Sequence, residues 1–135
     1  MHGPLQRLES VFKALGDGTR LRILGLLLAG EVCVCHIHET LKIPQSKASR
    51  HLAYLRRSGL VATRRDGLWV HYRLASAPDP VLQMIADAVT HALTHLDSVN
   101  RDARRLQVKT GGCLPLATEA AFPCCAAAPQ VGLRR

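Results

Sequence analysis

The chain has 135 residues, of which 47% are hydrophobic, so it fits one compact domain with a core and a tail. Its net charge of +8 favours a polyanionic partner such as DNA; no basic amphipathic helix with an aromatic side indicates a membrane partner. The longest apolar run is far below the roughly 18 residues of a membrane span. Because the N-terminus also lacks an apolar signal core, we expect a cytoplasmic protein.

The first part of the chain predicts four helices. Apolar residues recur at helical spacing over 5–15, and Asp17 can cap a second helix with a dense apolar face. The spacing over 34–41 predicts a third helix, and Pro44 separates it from a fourth that begins near Ser46. Two short helices around a tight break indicate a helix-turn-helix.

The fourth helix is followed by a predicted β-hairpin. The helix has an inward stripe of Ala48, Leu52 and Leu55, and its polar residues fall on another face. Asp66-Gly67 between two strand-like runs indicates a tight turn, so the hairpin would form a wing. The second strand alternates, which predicts a packed side (Leu68, Val70, Tyr72, Leu74) and a side toward solvent or DNA (Trp69, His71, Arg73).

The last predicted element is one long helix. Apolar residues recur at helical spacing over 82–99, and their stripe would pack against a second copy, together with the first helix. We predict a mainly α winged helix-turn-helix with a small β-hairpin, dimeric, in residues 1–105. The composition then shifts to Gly, Pro and Ala, which predicts a flexible cysteine-containing tail in residues 106–135.

Four motifs follow one another in the order LGDGTRLRIL (15–24), EVCVC (31–35), SKASRHL (46–52) and GLWVHYRL (67–74). Over roughly residues 5–100 the chain resembles the arsenical-resistance operon repressors, a group of winged helix-turn-helix metalloregulators. The resemblance implies a homodimeric transcriptional repressor that releases operator DNA, an inverted repeat, on binding its inducer. The regulated genes would serve metalloid export or detoxification.

Cys33 and Cys35 are the predicted inducer ligands, because soft thiolates select thiophilic species. The inducer would be trivalent arsenic, as arsenite or methylarsenite, with cadmium or zinc as alternatives. Residues two apart diverge by about 200° on a helix but share one side of an extended segment. We therefore predict that chelation unwinds the start of the third helix and moves the DNA-reading helix. The alternative is that both cysteines are small buried hydrophobes.

Other residues could complete this site. Related arsenite sensors have a third cysteine where His38 stands, and Cys124, Cys125 or, more weakly, Cys113 could supply the missing thiolate from the tail. A methylated arsenical needs only two thiolates and could use either pair alone. His36 or His38 could join the thiolates around zinc or cadmium, or be polar surface residues.

Two related branches fit less well. The cadmium- and lead-sensing branch completes its site with N-terminal cysteines, which this chain lacks. The zinc-sensing branch places its ligands on the last helix at a spacing that Asp87, His91 and His95 do not match.

The predicted DNA contacts divide into two groups. Base edges would be reached from the start of the fourth helix, with Arg50 as the best base reader, and phosphates mainly from arginines further along. The residues are Ser46, Lys47, Ser49, Arg50 and His51 in the first group, and Arg57, Arg64 and Arg65 in the second. The alternative is a solvated charged face.

Two other functions remain open. Thiol oxidation could be the signal of the same repressor. A small thiol enzyme could use Cys35 with His36 or His38 as base, but no phosphate loop, oxyanion-type glycine motif or cofactor fingerprint accompanies these residues. We therefore expect a protein that is not an enzyme.

Overall fold

A computed structural model describes residues 3–110, which form six α-helices and a three-stranded antiparallel sheet. The helices are α1 (Pro4–Leu15), α2 (Gly18–Leu26), α3 (Val34–Leu41), α4 (Gln45–Arg57), α5 (Pro80–Leu93) and α6 (Asp97–Thr110), with a turn of 3₁₀-helix at Leu27–Ala29. The strands are β1 (Val32–Cys33), β2 (Val61–Asp66) and β3 (Trp69–Leu74), in the order β1-β3-β2. The predicted mainly helical fold with a small hairpin is confirmed.

The helix-turn-helix is formed by α3 and α4. Lys42 adopts a left-handed conformation with φ of 60°, which ends α3, and extended Pro44 starts α4. The predicted inward stripe of α4 is confirmed, because Ala48, Leu52 and Leu55 are all fully buried. Their burial against the common core fixes α4 and leaves its polar side outward.

The wing is confirmed, but two of its residues are placed differently. Asp66 pairs with Trp69, so the turn consists of Gly67 and Leu68, and Leu68 is 91% exposed instead of packed. His71 is buried instead of facing solvent or DNA. The reason is that β1 pairs with β3 and sets Cys33 opposite His71, which makes β3 the central strand.

The prediction of one long helix is wrong. The helix is interrupted at residues 94–96, and α6 packs on α2 and α3 through Val99 and Leu106. Apolar residues of α5 and α6 reach the same core, so their spacing runs on across the break. α6 continues to Thr110, past the predicted domain boundary at 105. Most of the predicted tail, with Cys113, Cys124 and Cys125, lies outside the described residues.

None of the helices in residues 3–110 combines the length and the apolar character that crossing a bilayer demands.

Candidate thiol site and nucleic-acid interface

The two cysteines of the Cys-x-Cys motif meet where β1 becomes α3. Cys33 is extended, with φ of −75° and ψ of 145°, and its Sγ accepts a hydrogen bond from the backbone N–H of Cys35 at 3.4 Å. The two Sγ atoms are 2.9 Å apart. Cys33 is buried and Cys35 is half-buried. The pair therefore converges without any change of backbone.

This geometry corrects the predicted competition between chelation and helix. Cys33 is the N-cap residue, outside the helical stretch, so both sulfurs lie together while α3 is intact. The premise that residues 33–35 must unwind to chelate is therefore wrong. A helix boundary is uncertain by one or two residues from sequence, and here one residue decides the geometry.

Two of three nearby histidines, His36 and His71, lie close to Cys33. His36 is buried, and this burial lowers its pKa although Cys33 and Glu39 oppose the shift. His71 stands opposite Cys33 in the ladder, and its buried Nε2 has no hydrogen-bond partner among the described residues. His38 faces the other end of α3, where its Nδ1 lies 3.3 Å from the carbonyl oxygen of Ile43.

Within residues 3–110, no three His, Cys, Asp or Glu side chains converge as a metal-binding group. The described part of the chain thus offers two soft thiol donors. His91 and His95, which do not match the zinc-sensing spacing, meet edge to face on the exposed side of α5 and its C-terminal end, with ring centroids 5.1 Å apart.

The predicted base-reading residues lie at the start of α4. Ser46, Lys47 and Arg50 are exposed, whereas Ser49 and His51 are half-buried. Residues three and four apart share a helix face, so Lys47, Arg50 and the exposed Arg57 follow one stripe. This stripe carries positive charge on the side of α4 that the core leaves open.

Arg20 on α2 fastens α4 to α1, a role that sequence reasoning missed. Its Nε donates to the carbonyl oxygen of Ala14 at 2.7 Å and its Nη2 to that of Lys13 at 3.1 Å. Its Nη1 lies 3.3 Å from Nδ1 of His51, and its guanidinium covers the ring of Tyr54 at 4.1 Å. Tyr54 is therefore a packing residue, held by a cation–π contact.

The wing arginines differ in their partners. Arg64 is held by Glu31, with Nη2 to Oε1 at 2.7 Å and Nε to Oε1 at 3.1 Å. This hydrogen bond lowers the pKa of the Glu31 carboxyl, although partial burial opposes the shift. Arg65 is exposed. Glu31 thus competes with any phosphate for Arg64, a partnership that nothing local in the sequence indicated.

A buried carboxylate on α6 connects α2 with α3. Asp102 is 1% exposed and accepts two hydrogen bonds from Arg22, each 2.8 Å long. It also pairs with Arg105 at 3.2 Å, and Arg105 donates to the carbonyl oxygen of Thr40 at 3.3 Å. α6 therefore holds the end of the helix that begins at the thiol pair.

Similar proteins of known family place these features in context. The family model "Bacterial regulatory protein, arsR family" matches residues 17–63. An arsenical resistance operon repressor of Staphylococcus aureus is 33% identical over 108 residues, which cover 80% of this chain and 97% of that protein. A cadmium resistance regulatory protein homolog, CadC, of the same species is 38% identical over 60% of this chain and 66% of its own length.

Another relative is an arsenic resistance transcriptional regulator, ArsR1, of Pseudomonas putida, 48% identical over 58% of this chain. The match spans 65% of that regulator, slightly less than two thirds of its length. Among solved structures, the homodimeric winged helix-turn-helix DNA-binding domain of a possible ArsR-family regulator from Mycobacterium bovis has a TM-score of 0.55 and 35% identity. The alignment covers 69% of this chain and 87% of that domain. The match to the Staphylococcus aureus repressor covers nearly its whole length, and the fold and the thiol pair agree with it. The chain therefore belongs to the arsR family of bacterial regulatory proteins.

Proposed function

We propose that the protein is a metalloid-responsive transcriptional repressor. It binds operator DNA as a homodimer and dissociates when Cys33 and Cys35 take up trivalent arsenic, as arsenite or methylarsenite. The observation that carries this proposal is the 2.9 Å approach of the two Sγ atoms at the start of the helix-turn-helix. The arsenic-responsive relatives support the choice of inducer.

The connection from thiols to DNA contacts runs in two directions. Along the chain, α3 leads through the Lys42 turn directly into α4. Across the sheet, Cys33 pairs with His71 on β3, which is one strand of the wing. When its Sγ binds the inducer, the hydrogen bond that it accepts from the Cys35 N–H at the start of α3 is weakened. Because sulfur is a weak acceptor, this cap contributes less than the oxygen of a Ser or Asp cap. The junction next to both DNA-contacting elements is thereby perturbed.

DNA binding is assigned to α4 and the wing. Side chains at the start of a recognition helix reach base edges, and arginines and lysines around it neutralise phosphates. Arg50 would read bases, while Arg57 and Arg65 would meet phosphates. The exposed positive stripe of α4 and the net charge of +8 support this assignment.

The homodimer is assigned to α1 and α5. Leu5 and Phe12 on α1 are 77% and 54% exposed, and Val81 and Met84 on α5 are 48% and 62% exposed. Large apolar side chains exposed together on neighbouring elements are typical of an interface. The homodimeric Mycobacterium bovis domain supports a homodimer for this chain.

The number of thiolates separates the two arsenicals. Methylarsenite needs two, which Cys33 and Cys35 supply. Arsenite needs a third, and we assign it to Cys113, Cys124 or Cys125 in the tail. The cadmium-linked relative supports cadmium or zinc as an alternative inducer. The close approach of the two sulfurs favours oxidation as a second candidate signal.

The test is fluorescence anisotropy of the reduced protein on its upstream DNA, titrated with arsenite, methylarsenite, cadmium, zinc and peroxide. We expect release at stoichiometric arsenical. Cys33→Ser should still bind DNA but no longer respond, because its hydroxyl can keep the N-cap while the thiolate is lost. Cys33→Ala is the matched control for the cap itself. Normal release from Cys33→Ser and Cys35→Ser would place the sensing site elsewhere, and release by peroxide alone would favour the redox signal.

A further inference from the structure

A cationic groove of about 510 Å³ lies between the end of α3 and the outer side of α6. Five basic side chains line it, against one acidic side chain, Glu39. The basic residues are Lys42, Arg101, Arg104, Arg105 and Lys109. Such a concentration of positive charge attracts a polyanion.

Most of this charge is not neutralised by side chains within residues 3–110. Arg105 is paired with Asp102, but Lys42, Arg101 and Arg104 are exposed and form no salt bridge with another described residue. Arginine suits phosphate in particular, because its planar guanidinium can donate two parallel hydrogen bonds. The groove therefore has donors available for an external phosphate.

The groove adjoins the proposed DNA-reading helix. Lys42 lies in the helix-turn-helix turn, three residues before Gln45, the first residue of α4. Three residues of extended chain span at most about 11 Å, so the edge of the groove at Lys42 lies within that distance of the end of α4 that would enter the major groove.

The basic residues of α6 extend over the length of several phosphates of a DNA strand. From Arg101 to Lys109 the helix axis advances about 12 Å. A DNA strand presents one phosphate per roughly 3.4 Å of its axis, so this stretch can follow about three phosphates. The Asp102 network and the burial of Val99 and Leu106 hold α6 in a fixed orientation on α2 and α3.

We propose that this groove binds backbone phosphates of DNA beside the bases read by α4, and so extends the DNA interface from the winged helix onto α6. The proposal rests on the proposed function, because it requires that α4 enters operator DNA. It gives α6 a role besides holding α3.

The test measures DNA affinity against salt concentration on two duplexes. One is trimmed to the operator, and the other extends it by about ten base pairs, one helical turn, on each side. For Arg101→Gln/Arg104→Gln we expect the slope of log K against log salt on the longer duplex to fall by about 3.6, because the homodimer loses two phosphate contacts in each protomer. Arg101→Lys/Arg104→Lys keeps the charges and should keep most of the slope.

Two outcomes distinguish the groove proposal from the proposed repressor function on which it rests. If wild type binds operator and Arg50→Ala loses sequence preference, but the glutamine pair keeps the wild-type slope on the longer duplex, the groove proposal is overturned and the repressor stands. If wild type binds neither duplex, both proposals fall. Thermal unfolding of each variant verifies that the exposed substitutions leave the fold intact.

Discussion

The two helices of the helix-turn-helix are held in place by different means. α3 has eight residues, its N-cap acceptor is a sulfur, and Arg105 of α6 holds the carbonyl oxygen of Thr40 near its other end. α4 has thirteen residues and a fully buried inner stripe. Both helices bury apolar residues in the common core, but α3 is shorter and its N-cap is weak because sulfur is a weak acceptor. The thiol site thus lies at the weakly capped start of the shorter helix, and the proposed DNA contacts lie on the longer one.

The largest expected effect comes from removing the polar contacts by which α6 holds α2 and α3. Asp102→Asn removes a buried charge that accepts bonds from Arg22 and Arg105. Breaking a fully buried pair costs about 3–5 kcal/mol, and because both arginines keep contact with water we expect a loss of about 2–3 kcal/mol in unfolding free energy. Urea denaturation measures it. Glu9→Gln, in an exposed pair with Lys13, is the control, and a loss as small as the control's would contradict the assignment.

A second substitution, on α2, weakens the packing of α6 against α2. A Cβ on Gly25 would lie 2.6 Å from Cγ1 of Val99, so Gly25→Ala must displace that side chain. Overpacking of this kind costs about 1–3 kcal/mol in unfolding free energy. Gly18→Ala is the control in the same helix, because nothing lies within 4 Å of its added Cβ. In a double-mutant cycle with Val99→Ala the two losses should be less than additive; strict additivity would show that the two residues do not compete for space.

The third prediction concerns α4, the helix that has the proposed DNA contacts. Arg50 is exposed, so Arg50→Ala should leave unfolding free energy within about 0.5 kcal/mol of wild type. Loss of a bidentate base contact costs about 1–3 kcal/mol, and the homodimer loses one in each protomer, so affinity for operator DNA should fall roughly 30-fold or more. Titration against operator and scrambled duplexes measures this discrimination. Equal weakening on both duplexes would make Arg50 a phosphate contact instead of a base reader.

Most of the fold could be predicted from the sequence, because its signals are local. Asp17 as a cap, Pro44 as a break and the stripe of α4 each act through residues a few positions apart, and all three are confirmed. The break between α5 and α6 was missed because both helices continue one apolar pattern into one core. β1 was missed because two residues form a strand only by pairing with β3, far along the chain.

The candidate site was foreseeable in its residues but not in its geometry. The spacing of Cys33 and Cys35 indicated a chelating pair, yet their approach depends on Cys33 being the last strand residue. Partners such as Arg20 for Tyr54 and Asp102 for Arg22 are distant in sequence, so no periodicity reveals them. Contacts of this kind arise only when packing brings the elements together.

The smallest expected effect concerns the wing. The pKa of Glu31 is lowered below its usual 4.5 by the hydrogen bond from Arg64, so the pair stabilises the fold above pH 4.5 and loses this contribution as pH falls through the lowered value. Glu31→Gln should therefore lower the unfolding free energy at pH 7 by less than about 1 kcal/mol, because Arg64 is well exposed. Its unfolding temperature should be slightly lower than that of wild type. The difference should shrink as pH falls through the lowered pKa of Glu31.

The same substitution separates wing from recognition helix. Once Glu31 no longer competes for it, Arg64 is available to a phosphate, so DNA affinity at pH 7 should rise for operator and scrambled duplexes alike. The slope of log K against log salt should steepen by about 1.8, because the homodimer gains one phosphate contact in each protomer. Arg64→Gln is the matched control, which removes the same pair without providing a phosphate contact. If both variants bind DNA equally well, Arg64 makes no phosphate contact even after Glu31 is removed, and the wing contacts DNA through other residues.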